Sequence, residues 1–253
     1  MSEQIFFNGM LMGWFVLAVL IFVTLFYVVA PYGRHARKGW GPTVGNRLGW
    51  VIMESMSPLV FAVCFLLGSN AKTLTLLAFF GMWEAHYIHR SFIYPFGLHT
   101  AAKRMPVVVI SLGLFFNAVN AYLNGRYIFT FSDGYSNEWL VDPRFICGLV
   151  LFVIGFAMNR RADYVLRNLR IPDTVDYKVA SVGIYRFISC PNYLGEILIW
   201  VGWAVATWSL AGLSFALWTI ANLVPRARAH HNWYREHFSD YPSERKALVP
   251  LLW

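Results

Sequence analysis

Charge is what this sequence has least of. Asp, Glu, Lys and Arg make up 13% of its 253 residues, about half the roughly one quarter that a soluble domain carries. That is too little charge to solvate a water-borne surface of this length. Cysteine is scarce as well: Cys64, Cys147 and Cys190 are odd in number and form no C-x-x-C, so neither a disulfide framework nor a zinc site is indicated. No G-x-G-x-x-G follows a strand and no G-x-x-x-x-G-K is present, which excludes a Rossmann domain and a P-loop. A nucleotide, if bound, must lie among helices. Without an internal repeat or a low-complexity linker, one domain over 1–253 is the economical organisation.

Long hydrophobic runs fill the space that charge leaves. Hydrophobic residues reach 58%, and apolar stretches near the ~20 residues needed to cross a bilayer fall at 8–30, 49–68, 73–95, 106–123, 145–165, 192–208 and 209–226. The first has no basic n-region and exceeds a signal-peptide core, so it reads as a retained helix. The last two are parted only by the break around Ser209 to Gly212, which keeps six spans as an alternative to seven. The basic excess, net +8, is unevenly placed. Arg34, Arg37, Lys38 and Arg47 form one set; Arg90, Lys103 and Arg104 a second; Arg160 to Arg186 a third; Arg226 to Lys246 a fourth. The loops between carry mainly Lys72, and Arg126 and Arg144 balanced by Asp133, Glu138 and Asp142. The positive-inside rule puts the four basic sets in the cytoplasm. The fold class expected is therefore all-α: a polytopic membrane protein of seven transmembrane helices, N-terminus outside and C-terminus cytosolic.

Polar groups at membrane depth are costly and mark function by default. The string His86-Tyr-Ile-His-Arg90 ends one apolar stretch, Glu54 interrupts another, and Arg226 to Tyr234 closes the last. Tyr87 and Glu54 suit carbonyl chemistry: a neutral phenol donates a strong hydrogen bond, and a carboxyl in an apolar pocket can stay protonated and do the same. Against this, any one of 13 tyrosines can be an interfacial aromatic. Asn159, Asp163, Arg167 and Arg170 recur at three- and four-residue spacing, so one helix face would present them as a phosphate-binding cluster; the competing reading is contact with anionic headgroups. Asn192 and Glu196 follow Pro191, where a helix restarts, and suit hydrogen bonds to an amide or ribose, unless Glu196 only pairs with Arg226 for structure. His86, His89, His230 and His231 invite a histidine-box metal site, but the remaining histidines are scattered singly and hydrogen-bonded helix-end histidines account for them better.

Taken together these blocks resemble the steroid 5-alpha-reductases, in particular a bacterial homologue. The similarity is carried by His86 to Tyr94, Asn159 to Arg170, Tyr193 to Ile197, Ala206 to Ser209 and His237 to Pro250, in that order, and extends from Tyr32 to the C-terminus. It implies a seven-helix enzyme of the bacterial inner membrane that binds NADPH at a cytoplasm-facing site and reduces the 4,5 double bond of a 3-oxo-4-ene steroid or related enone lipid. The resemblance makes Tyr87 and Glu54 the carbonyl-binding pair, with Met53 beside the substrate. It makes Tyr32, Trp50, Arg104, Asn159, Asp163, Arg167, Arg170, Lys178, Asn192, Glu196, Arg226, His230 and Tyr234 the cofactor shell. Two positions depart from the family pattern: Met53 stands in place of Gln, and Lys178 in place of Arg. The competing functions are a membrane methyltransferase of the isoprenylcysteine carboxyl type, whose S-adenosylmethionine has no phosphate to engage the arginines, and a non-catalytic lipid-binding protein. No metal and no nucleic acid is expected, and the oligomeric state is left open.

Overall fold

The computed structural model describes residues 2–28, 39–98, 104–169 and 178–253. Seven long helices account for most of them: α1 (Glu3–Tyr27), α2 (Asn46–Leu67), α3 (Leu74–Ile88), α4 (Val107–Arg126), α5 (Pro143–Leu169), α6 (Pro191–Thr207) and α7 (Leu210–His237). α1, α2, α5 and the helical stretch Val107–Phe131 that α4 opens are long and apolar enough to cross a membrane. The break expected near Ser209 is real. Trp208 adopts a left-handed conformation with φ of 45°, and the Ser209 side chain caps α7 by accepting from the Gly212 N–H, so two helices stand where six-span counting would have one. A two-stranded ribbon was not foreseen: β1 (Thr43–Gly45) pairs antiparallel with β2 (Arg104–Pro106).

The chain divides into two compact units, Met1–Leu11 with Tyr32–Ile146, and Met12–Pro31 with Cys147–Trp253. In the first unit, α2 and α4 pack closely because glycines take the partner's side chains. Met53 lies over Gly113, where a Cβ would come within 2.3 Å of its sulfur, and Cys64 lies over Gly125. Phe61 stacks on Trp83 at 4.4 Å, with Phe129 edge-on at 5.1 Å, giving an aromatic core of the kind whose ring geometry adds to simple burial. Exposed apolar residues line α2, as at Leu59 and Val63, and the part of α1 that belongs to the second unit, as at Val19 and Leu20. Such exposure is expected of helices whose solvent is hydrocarbon.

In the second unit, α5 and α6 approach backbone to backbone. Gly148 and Gly155 on α5 face Gly202 and Gly195 on α6, and a Cβ at Gly155 would lie 2.6 Å from both the Gly195 carbonyl oxygen and the Ile199 nitrogen. Small residues that let backbones touch are the usual device for joining helices where water supplies no driving force. Trp200 and Phe215 join α6 to α7 at 3.9 Å between ring centroids, and Trp218 donates to the Trp14 carbonyl at 3.0 Å.

Candidate functional site

The first polar cluster belongs to the α2, α3 and α4 elements of the first unit. α2 carries Trp50, Met53 and Glu54 on a helix that continues through Pro58. Glu54 is buried, and Arg90 Nη2 lies 3.9 Å from its Oε1. Arg90 leaves the end of α3 within a π-helical turn, His89–Ile93; turns of this kind are frequent at functional sites. Its guanidinium stands over the rings of Trp50 at 5.3 Å and Tyr94 at 5.0 Å, while Trp50 and Tyr94 meet edge to face. Tyr87, also buried, rests against Trp83 and His86. Its hydroxyl donates to Asn117 Oδ1 at 3.5 Å, and Asn117 Nδ2 donates to the Met53 carbonyl at 2.8 Å.

The second cluster belongs to α5, α6 and α7 of the second unit, and the glycine seam makes it possible. Gly195 contacts the backbone of Asn159 directly, which brings the buried Asn159 side chain within reach of α6. Asn159 Nδ2 donates to the Asn192 carbonyl at 2.9 Å and to Glu196 Oε2 at 3.0 Å. Trp200 Nε1 donates to Glu196 Oε1 at 3.0 Å, and Asn192 Nδ2 donates to Asp163 Oδ1 at 3.3 Å. On α7, Arg226 Nε donates to the Tyr193 hydroxyl at 2.9 Å. The same hydroxyl lies within hydrogen-bond reach of His230 Nε2, 3.3 Å away. Tyr234 is buried and stacks on Tyr241 at 5.3 Å.

Sequence expectations and positions can now be compared. Asn159, Asp163, Asn192 and Glu196 come together in one network, and Arg226 and His230 share Tyr193. Arg167 lies on α5 two turns beyond Asn159, over the Tyr164 ring at 5.4 Å, and Lys178 is exposed. Trp50 groups with Arg90 and Glu54 in the first unit. Arg104, on β2, donates to Thr43 Oγ1 and to the Thr43 carbonyl, fastening the ribbon. Tyr32 and Arg170 lie outside the described residues. Sequence reasoning missed Asn117 and Trp200. Both left a trace: α4 holds Asn117, Asn120 and Asn124 at helical spacing in an apolar stretch, all buried, and Trp200 follows Glu196 by one turn on the same face.

Among the described residues, Arg160 Nη1 and Arg245 Nε are buried without hydrogen-bond partners, while Arg245 Nη1 donates to the Ala180 carbonyl at 3.0 Å.

A family description, 3-oxo-5-alpha-steroid 4-dehydrogenase, matches residues 103–253. Steroid 5-alpha-reductase DET2 of Gossypium hirsutum is 41% identical, over 100% of this chain and 99% of its own. The 3-oxo-5-alpha-steroid 4-dehydrogenase 1 of Bos taurus is 40% identical over 93% of each chain, and steroid 5-alpha-reductase DET2 of Arabidopsis thaliana is 38% identical over 91% of this chain and 90% of its own.

Proposed function

The chain belongs to the 3-oxo-5-alpha-steroid 4-dehydrogenase family of oxidoreductases, and from that premise we propose that it reduces the 4,5 double bond of 3-oxo-4-ene steroids, or of related enone lipids, with NADPH. When bound, NADPH supplies the hydride that the beta carbon of the enone receives. The protein's part is to bind, orient and polarise. Asn159, Asn192, Glu196 and Asp163 offer hydrogen bonds to amide and ribose groups, and Arg167, Arg170, Lys178 and Arg226 offer cations to phosphates. His230 and Tyr234 complete that surface from α7, with Tyr32 assigned to the same shell by family likeness. Family likeness places Trp50 and Arg104 there too, but the ring contacts of Trp50 with Arg90 and Tyr94 and the bonds of Arg104 to Thr43 favour support of the Glu54 segment and of the β ribbon.

Tyr87 and Glu54 act on the carbonyl. As the hydride arrives, negative charge moves to the enone oxygen, and a phenol held in an apolar surrounding stabilises that charge as it develops. Met53 has no hydrogen to donate, so Tyr87 and Glu54 carry this task without the Gln found elsewhere in the family. The observation that carries the reading is the part-buried network joining Asn159, Asn192 and Glu196, polar groups that a lipid-binding scaffold would have no reason to gather between helices.

The test is incubation of membranes containing the protein with NADPH and a panel of enones, from progesterone and testosterone to smaller lipids. A product heavier by two hydrogens is expected. No reduced product from any enone, with S-adenosylmethionine bound in preference to NADPH, would replace the reading with the methyltransferase.

A further inference from the structure

Asn117 is a polar side chain in the middle of an apolar helix, only 5% exposed. Burying an amide there is unfavourable unless its donors and acceptor are used, and its contacts show how they are. The Met53 carbonyl can only accept, so the amide nitrogen must face it, at 2.8 Å. The amide oxygen is thereby turned to the Tyr87 hydroxyl, at 3.5 Å. Against a fixed acceptor, the phenol must present its hydrogen. At that distance the bond is loose, so it orients the hydroxyl without retaining it once a stronger acceptor arrives.

The partner carbonyl is also telling. Pro58 lacks the N–H that would bond the Glu54 carbonyl, and its ring crowds that same turn, so α2 loses a backbone bond at the residue next to Met53. α4 compensates with two residues one turn apart: Gly113 receives the Met53 side chain and Asn117 holds the Met53 carbonyl. One amide thus ties the turn that carries Glu54 to the hydroxyl of Tyr87.

We propose that Asn117 is a positioning residue for reduction, fixing Tyr87 as a hydrogen-bond donor and holding it in register with Glu54. The proposal rests on the carbonyl-polarising role given to Tyr87 above. It acts through Tyr87, so its signature is loss of additivity.

The experiment measures turnover of testosterone with saturating NADPH in the parent chain, Asn117→Ala, Tyr87→Phe and the double variant, with NADPH affinity as the control for folding. Asn117→Ala should lower turnover by about tenfold, the effect of one hydrogen bond at the upper end of its usual range, with NADPH affinity unchanged. In the Tyr87→Phe background the same change should cost less than about twofold, because its route of action is already gone. Full additivity would overturn the role of Asn117 while leaving that of Tyr87 intact. Near-parental turnover by Tyr87→Phe would remove the role of Tyr87, and this proposal with it. Asn117→Asp covers the case in which the alanine variant fails to fold. When protonated, the introduced carboxyl reproduces both bonds; once ionised it cannot donate to Met53. Its turnover relative to the parent should therefore fall as pH rises, and a flat ratio across the pH range would sink the proposal.

Discussion

Tyr87 and Glu54 stand out in the sequence because an apolar surrounding makes any polar atom conspicuous; their partners do not, because partnership is decided by which helices meet. Nothing in the spacing of α4 says that Asn117 faces Met53, and nothing in α6 says that Glu196 will take one hydrogen bond from Trp200 and another from Asn159. The expected consequence at Tyr87 is specific. A donor to a developing oxyanion matters more in the transition state than in the ground state, so Tyr87→Phe should reduce turnover by about a hundred- to thousandfold while leaving NADPH affinity near its parental value. Steady-state kinetics with a fluorescence titration of NADPH would check both halves, and near-parental turnover would refute the assignment. Glu54 gives a graded companion. Glu54→Gln preserves shape and an N–H donor, whereas Glu54→Ala preserves neither, so the glutamine variant should keep more activity. Equal loss in the two would mean that the negative charge facing Arg90 matters, and that donation to the carbonyl does not.

Among the elements, α5 and α6 depend on glycine for chemistry as much as for packing. Any side chain at Gly155 meets backbone on α6, and backbone cannot swing aside, so Gly155→Ala should destabilise the protein by about 1–3 kcal/mol as an overpacked contact. It should also draw Asn159 away from Asn192 and Glu196 and weaken NADPH binding, although no cofactor-facing atom has been changed. A thermal melt and an NADPH titration on the same variant would test this, and unchanged affinity would detach the seam from the site. The C-terminal segment offers a second case. Ile188 bridges Lys246 in parallel, and the Ser189 hydroxyl sits 2.7 Å from both His231 Nδ1 and the Tyr241 hydroxyl. His231 lies beyond the apolar part of α7. Burial, then the nearby Arg235, Arg245 and Lys246, hold its pKa below the ordinary histidine value. A depressed folded-state pKa contributes stability that is present above about pH 6.5 and is lost as pH falls through the folded value. The melting temperature should accordingly drop between pH 7 and pH 5.5, and His231→Asn, which keeps a donor for Ser189 but does not titrate, should flatten that drop. The length of the apolar runs announced these helices, and the break around Ser209 was legible too. The β1 and β2 ribbon was not, since its three-residue strands are joined by pairing across 60 residues of chain, beyond the reach of any local pattern.

At the scale of the molecule, loop charge can be set beside the loop contacts within each unit. β1 lies before α2 and β2 before α4, and their pairing puts the two basic loops on one side of the first unit. The connection after α2 meets the connection after α4: Asn70 Nδ2 donates to the Ile128 carbonyl and Ser132 Oγ, and Thr73 Oγ1 donates to the Tyr135 carbonyl. These two loops are poor in basic charge. In the second unit the segment before α6 is paired to the C-terminal segment, through Ser189 N to Lys246 O at 2.8 Å and Cys190 N to Ala247 O at 3.1 Å, and both are basic. Within each unit, basic segments thus meet basic ones and charge-poor loops meet each other, and we propose an arrangement of seven crossings with the basic loops in the cytoplasm. With the basic sides in the cytoplasm, a single cysteine placed at Ser132 should react with a membrane-impermeant maleimide added to intact cells, whereas one at Arg186 should react only after permeabilisation. The background needs Cys147 replaced, since it is exposed while Cys64 and Cys190 are buried. Labelling of both positions from the same side would break the seven-span arrangement. It would also remove the reason for placing the arginine-rich cofactor surface in the cytoplasm, where NADPH is available to it.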